Sequence, residues 1–179
     1  MHVRLFGSLL FETVIVGLLL VISATMTGCG VLKGIMNPEE AGTTPIFNQM
    51  KSQVIQLKRA DGFIISLTVK IADNDAKLEA GFQNISPEII QKSFILFVFG
   101  EPLRALFHMH NVLAPLDIAF IAGNGTLIKI ETMAVGPELY GPDEPFQYAL
   151  EARAGFFAEN KLVAKESKLV TSSLRQKEK

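Results

Sequence analysis

The chain has 179 residues, which suits one domain of ordinary size and excludes a large multidomain assembly within one polypeptide. Its 17 basic and 18 acidic side chains give a formal net charge of -1, so no overall positive field favours nucleic acid as a partner. Hydrophobic residues make up 49% of the chain, and their excess is concentrated at the N-terminus.

The first 28 residues have the pattern of a lipoprotein signal peptide. Arg4 precedes an apolar run over residues 14–24, and small residues follow it. The run ends in Met26-Thr27-Gly28-Cys29, which resembles the bacterial lipobox, in which the cysteine is lipidated and becomes the new N-terminus. The pattern therefore predicts export, lipidation at Cys29, and a protein held on a membrane facing the periplasm or the cell exterior.

An uncleaved membrane anchor is the alternative interpretation of the leader. Residues 8–28 are long enough to cross a bilayer. Glu12 lies within that stretch, and a carboxylate inside a membrane span costs about 2 to 3 kcal/mol. Cys29 is the one cysteine of the chain, so no disulfide forms within it, and the domain must rely on its core for stability.

After the leader, residues 29–53 lack a sustained hydrophobic period and are predicted to form a flexible tether. A β-hairpin is predicted next, because Asp61-Gly62 separates two β-rich runs. In the second run, aliphatic residues occupy the odd positions from 65 to 71, which is typical of a strand with one buried face.

The rest of the chain reads as a series of short elements. Asp73 and Ser86 are predicted helix caps, and Gly123-Asn124-Gly125 is a tight-turn signal between two strands. The predicted elements are helices over 73–81 and 86–92, strands over 94–99, 104–110, 116–122, 126–134, 146–154 and 162–170, a loop over 136–145, and a short turn or helix over 155–160. The polar residues 171–179 are predicted to be a disordered basic tail.

This order predicts a mostly β fold over residues 54–170, either a compact antiparallel β sandwich or a partly open barrel with one or two short helices. The strands follow one another too closely for helical crossovers, so mostly antiparallel pairing is expected.

Residues 71–155 resemble the domain-of-unknown-function family 192, a group of small and often exported domains. The matching motifs are Ala80-Gly81-Phe82, Leu96-Phe97-Val98-Phe99, Phe107-His108-Met109-His110-Asn111, Pro115-Leu116-Asp117-Ile118-Ala119-Phe120-Ile121 and Tyr148-Ala149-Leu150-Glu151-Ala152-Arg153-Ala154-Gly155. The resemblance implies a compact, mostly β domain with no established activity.

The same resemblance points to a few ligand-binding candidates. Met109, Asn111, Asp117 and Glu151 stand at positions that match the family pattern. His108 departs from it, as does His110, since the family usually has Trp and Lys at those two positions.

His108 and His110 flank Met109 on a predicted strand, so both imidazoles are expected on one face. Imidazole suits copper or zinc, and a thioether suits Cu(I), which predicts a metal-handling site with Asp117 as a conceivable third ligand. Solvated polar side chains at the end of a sheet are the alternative interpretation.

Asp117 and Glu151 form the other candidate constellation. If they faced one another across the sheet, one could act as acid and the other as base or nucleophile on an envelope carbohydrate. Structural roles, with either carboxylate capping or bonding the backbone, are the alternative.

No catalytic motif occurs in the sequence, neither a Gly-x-Ser-x-Gly elbow nor a His-Glu-x-x-His metal site. We therefore expect a binding or accessory domain of the cell envelope, with an envelope protein or a small molecule as its partner. Any site is expected at the turn from His108 to Asp117.

Overall fold

The structure is a computed structural model that describes residues 42–175. The predicted signal peptide, Cys29 and most of the predicted tether lie outside the described residues, as does the end of the predicted tail, residues 176–179.

The described residues form nine strands and four short α-helices. The strands are β1 (Ser52–Lys58), β2 (Ile64–Ala72), β3 (Ile95–Leu103), β4 (Phe107–His108), β5 (Leu116–Ile121), β6 (Leu127–Met133), β7 (Leu139–Tyr140), β8 (Phe146–Arg153) and β9 (Lys168–Leu169). The helices are α1 (Pro45–Gln49), α2 (Asp75–Ala80), α3 (Pro87–Ile90) and α4 (Phe156–Glu159), and a 3-10 turn spans Thr171–Arg175.

Seven strands make one curved sheet in the order β6-β5-β8-β3-β2-β1-β9, and β4 pairs with β7 in a separate small sheet. The two ends of the large sheet meet, because Thr126 bridges Lys168 and the amide of Leu169 donates to the carbonyl of Gly125 over 2.7 Å. The sheet is therefore a nearly closed barrel. The prediction of a mostly β fold is confirmed, in its barrel form and not as a sandwich, and the described residues contain four short helices where one or two were predicted.

One strand pair is parallel. Strand β2 runs alongside β3 from the pair Lys70 and Ile95 to the pair Ala72 and Phe97. A parallel pair needs a crossover, and α2 and α3 supply it. The expectation that the strands leave no room for a helical crossover is wrong at this connection, although every other strand pairing among the described residues is antiparallel.

Two apolar clusters cover opposite faces of the sheet. The barrel core takes alternate residues from the large sheet, such as Leu67, Leu96 and Leu150, together with Phe156 and Phe157 of α4. The outer core takes the intervening residues of β3, β5, β6 and β8 and packs them under the helices α1 to α3 and the turn before β5. All six residues of β5 are buried because both of its faces are covered.

Several predicted boundaries differ from the structure. Residues 45–53, predicted as tether, contain α1 and the start of β1, and Phe47 and Met50 are buried in the outer core. The predicted loop over 136–145 contains β7. The 3-10 turn at 171–175 packs on β1 where a disordered tail was predicted: the side chain of Gln53 donates to the carbonyl of Ser173.

The helix caps and two strands also differ. Asn74 caps α2 where Asp73 was predicted, since its side chain accepts from the amide of Lys77 over 3.2 Å. Strand β3 continues past Pro102, and the strand predicted over 162–170 is reduced to two residues. Within the described part of the chain, no helix combines the length and the apolar character required to cross a membrane.

Candidate functional site

A cleft of about 180 Å³ opens in the outer core beside the C-terminal end of α2. We call it the Glu151 cleft, after the carboxylic acid that lines it. Its lining residues are Leu78, Glu79, Ala80, Gly81, Phe82 and Gln83, then Phe97 and Phe99 of β3, then Ala105, Leu106, Phe107 and His108, and finally Val112 and Glu151.

The turn after α2 forms one wall of the cleft. Gly81 ends the helix as its C-cap, and a Cβ atom there would lie 3.4 Å from the ring of Phe97. Phe82 follows and is almost completely buried. The amide of Asn84 then donates to the carbonyl of Asn111 over 2.8 Å, which ties this turn to the segment that follows β4.

Aromatic rings that pack on one another form the adjoining wall. The ring of Phe107 lies 5.1 Å from that of Phe97, nearly perpendicular to it, and 5.6 Å from that of Phe120. Edge-to-face pairs of this kind add stabilisation beyond the area that they bury. Phe107 also belongs to β4, whose pairing with β7 through Tyr140 fixes its backbone.

Glu151 lies in strand β8 between two fully buried aliphatic residues. Its cross-strand neighbours are Ile95 on β3 and Ile118 on β5. Glu151 is 5% exposed, and none of the described residues gives its buried Oε2 atom a hydrogen bond. Burial in apolar surroundings disfavours the ionised form and raises the pKa of Glu151 to about 8. Buried carboxyl groups are normally paired or hydrogen-bonded, so this one is a candidate functional group.

The two other ionisable residues that line the cleft are Glu79 and His108. None of the lining residues is Lys or Arg. The nearby Lys77 is paired with Asp73 over 2.7 Å and does not line the cleft. The cleft therefore presents acidic oxygens and aromatic carbon to a ligand.

Only one residue of the predicted histidine pair, His108, lines this cleft. Both residues are exposed, and His110 lies on the turn outside the cleft, with its ring centre 6.2 Å from that of His108. The Nδ1 atom of His108 accepts from the amide of His110 over 3.2 Å. Among residues 42–175, no three His, Cys, Asp or Glu side chains are grouped to hold a metal ion. Copper or zinc binding stays a prediction.

Asp117 and Glu151 do not share a cleft. Glu151 is paired in register with Ile118 and Asp117 with Ala152, so the two carboxyl groups point to opposite faces of the sheet. Asp117 is buried and accepts from the hydroxyl of Thr132 over 2.7 Å, which is a structural bond between β5 and β6. The structure thus gives these two residues no common face on which to act as acid and base.

The remaining predicted ligand residues, Met109 and Asn111, do not line the cleft. Met109 is buried in the outer core, and Asn111 is exposed in the turn with a positive φ of 57°. The predicted site from His108 to Asp117 therefore contributes His108 and Val112 to the cleft, while Glu151 enters it from another strand.

Sequence reasoning missed the α2 side of the cleft. Ala80-Gly81-Phe82 was noted as a family motif and given no site role. A glycine that ends a helix directly before a buried aromatic residue is a signal of close packing, and here it marks the wall against Phe97 and Glu151.

Comparison with known proteins places this fold in a family. The sequence pattern of DUF192, described as Uncharacterized ACR, matches residues 55–168. The chain belongs to DUF192. This confirms the family resemblance, and the match spans every strand of the barrel from within β1 to the start of β9.

Two solved structures are similar to this DUF192 chain. One, from Sinorhizobium meliloti 1021, is described as a proposed transcription regulator; it has 27% sequence identity and a TM-score of 0.62, and the match covers 67% of this chain and 93% of that one. The other, a protein of unknown function from Novosphingobium aromaticivorans DSM 12444, has 19% identity and a TM-score of 0.61, with 67% and 85% covered, and shows the fold alone. No curated protein matches the chain.

Proposed function

We propose that this DUF192 protein is a lipid-anchored domain of the cell envelope that binds a small molecule in the Glu151 cleft. One observation carries the binding function: a carboxyl group that is 5% exposed, with Oε2 lacking a partner among the described residues, lines a cleft of about 180 Å³ with aromatic walls. Ligand sites combine an apolar lining with a few polar groups that orient the ligand, and this cleft has that composition.

The size of the cleft limits the ligand. An apolar cavity of about 150 Å³ holds a benzene molecule. The Glu151 cleft is therefore large enough for a single ring or a short branched chain, and too small to enclose an oligosaccharide or a peptide.

The binding proposal is tested with three single-ring probes on the full-length chain in a nonionic detergent: benzylamine, benzyl alcohol and benzoate. We expect at least one probe to shift the backbone amide NMR signals of Gly81, Phe82 and Val112. Ala105→Leu fills part of the cleft and should weaken that binding about tenfold, which corresponds to about 1.4 kcal/mol.

The matched control is Ala158→Leu, an equal enlargement at an exposed position on α4 outside the cleft. It should leave probe binding unchanged. If no probe shifts the cleft signals, or if Ala105→Leu binds as tightly as the original chain, the cleft is not a ligand site.

Membrane attachment is proposed on the sequence Met26-Thr27-Gly28-Cys29. Residues 30–41 separate Cys29 from the described domain and span at most about 40 Å when fully extended. A lipid on Cys29 would therefore hold Gly42, where the described residues begin, within about 40 Å of the membrane surface.

Cys29→Ser should abolish incorporation of a fatty-acid label when the full-length chain is expressed in bacteria. A thiol is required because the lipid is attached through sulfur. Ser23→Ala, in the same leader but outside the four-residue motif, is the control and should keep the label. If the original chain takes up no label, or if the Cys29→Ser protein takes up as much as the original chain, Cys29 is not a lipid attachment site.

A further inference from the structure

We propose that the Glu151 cleft selects an organic cation, an ammonium group on a small apolar body, and that Glu151 receives the ammonium group. This inference rests on the proposed binding function and names the class of ligand. Three independent features of the described residues support it: the burial of Glu151, the charges around the cleft, and the arrangement of the aromatic rings.

The first feature is that Glu151 lacks the kind of partner that other carboxylates of this domain have. Asp73 is paired with Lys77 over 2.7 Å, and Glu131 is paired with Lys129 over 2.8 Å. These pairs are more exposed than Glu151, which is 5% exposed, and the cost of leaving a charge unpaired increases with burial. Glu151 is thus the carboxyl group that gains most from a cation brought by a ligand.

The second feature is the sign of the surrounding charge. Glu79 lines the same cleft, and no Lys or Arg does. Lys129 lies on the same face of the sheet as Glu151, two strands away in β6. Its ammonium group is paired with Glu131 and donates to the carbonyl of Gly141. An anionic ligand would meet two acidic side chains with no Lys or Arg beside them, whereas an ammonium group is attracted by Glu79 and, once Glu151 gives up its proton, by Glu151 as well.

The third feature is the aromatic lining. Phe82, Phe97, Phe99 and Phe107 surround the space next to Glu151. Aromatic faces attract ammonium groups, and the attraction is stronger where the site is shielded from water. The rings also give the apolar part of the ligand a surface to pack on, so the same walls contact both ends of such a molecule.

A neutral ligand is the competing occupant. A protonated carboxyl group at Glu151 would donate a hydrogen bond to a carbonyl or hydroxyl oxygen in the cleft. In that arrangement Glu79 makes no charge interaction with the ligand, and the aromatic rings make only apolar contacts with it.

The experiment measures dissociation constants of benzylamine and benzyl alcohol for the full-length chain in a nonionic detergent, by amide NMR titration. Benzylamine should bind at least tenfold more tightly than benzyl alcohol, because a charge-assisted contact replaces a neutral one. Glu151→Gln keeps the shape of the side chain, and it should weaken benzylamine binding about tenfold while changing benzyl alcohol binding less than twofold.

Glu166→Gln is the matched control, since it removes an exposed carboxylate outside the cleft and should leave both dissociation constants unchanged. A second measurement uses the unmodified chain. Carbon-13 NMR of the carboxyl group should show that benzylamine lowers the pKa of Glu151, because the bound cation stabilises the carboxylate.

The outcomes separate this inference from the proposed function. If benzyl alcohol binds as tightly as benzylamine, or if Glu151→Gln keeps the affinity for benzylamine, the cleft binds ligands but does not select cations. If none of the three probes shifts the cleft signals, both the inference and the proposed function are wrong.

Discussion

Replacing Gly125 with alanine should lower the free energy of unfolding by about 3 to 5 kcal/mol, because the barrel closes at this residue. Gly125 has a φ of +87°, and an added Cβ would lie 2.1 Å from the carbonyl oxygen of Leu169. That contact is with backbone, so the methyl group cannot be accommodated by rotating a side chain. Strand β9 would have to move, breaking the bond from the amide of Leu169 to the carbonyl of Gly125.

Gly62→Ala is the control for backbone strain. Gly62 has the same φ of +87° in the hairpin before β2, but nothing lies within 4 Å of an added Cβ. This variant should lose only about 1 to 2 kcal/mol, the cost of the left-handed conformation for a residue with a side chain. Urea denaturation followed by circular dichroism measures both. Equal losses in the two variants would mean that the contact with β9 does not limit the stability of the barrel.

The hairpins of this fold could be predicted because their signals are local. Asp61-Gly62 lies between β1 and β2, whose buried residues alternate, and Gly123-Asn124-Gly125 lies between β5 and β6, where β5 is buried throughout. In both hairpins the turn chemistry and the apolar runs are contained within about twenty residues of chain.

The closure of the barrel could not be predicted in the same way. Strand β9 has two residues, and β4 and β7 have two each. Such segments carry too few positions for a hydrophobic period, and their pairing depends on the rest of the sheet. Short helices over 73–81 and 86–92 were predicted, and α2 and α3 lie within them, but their role as the crossover between β2 and β3 was missed because helices of four to six residues do not by themselves indicate a parallel strand pair.

The candidate site was found in part. Glu151 was singled out through the family resemblance, and His108 through its spacing to His110. Which carboxyl group would be buried without a partner depends on what covers it. Asp117 and Glu151 both lie on buried strands, yet Thr132 satisfies one of them, whereas Gly81 and Phe82 cover the other with apolar surface. That difference is set by tertiary packing between distant segments.

The stability of the protein should depend on pH through Glu151. Burial raises the pKa of this group to about 8 in the folded chain from an ordinary value of 4.5. The folded state therefore holds the proton more firmly than the unfolded state, and the stabilisation is fully present below about pH 4.5. It is lost as the pH rises towards 8, at about 1.4 kcal/mol for each unit.

Glu151→Gln should remove this dependence, because the amide has nearly the same shape and does not ionise. At pH 5 the two proteins should have similar free energies of unfolding, and at pH 8 the variant should be more stable by about 3 kcal/mol or more. Urea denaturation at four pH values between 5 and 8 measures the difference. Glu166→Gln, which changes an exposed carboxylate, should follow the pH profile of the original chain. If Glu151→Gln follows it as well, then burial does not hold Glu151 protonated in the folded protein at neutral pH.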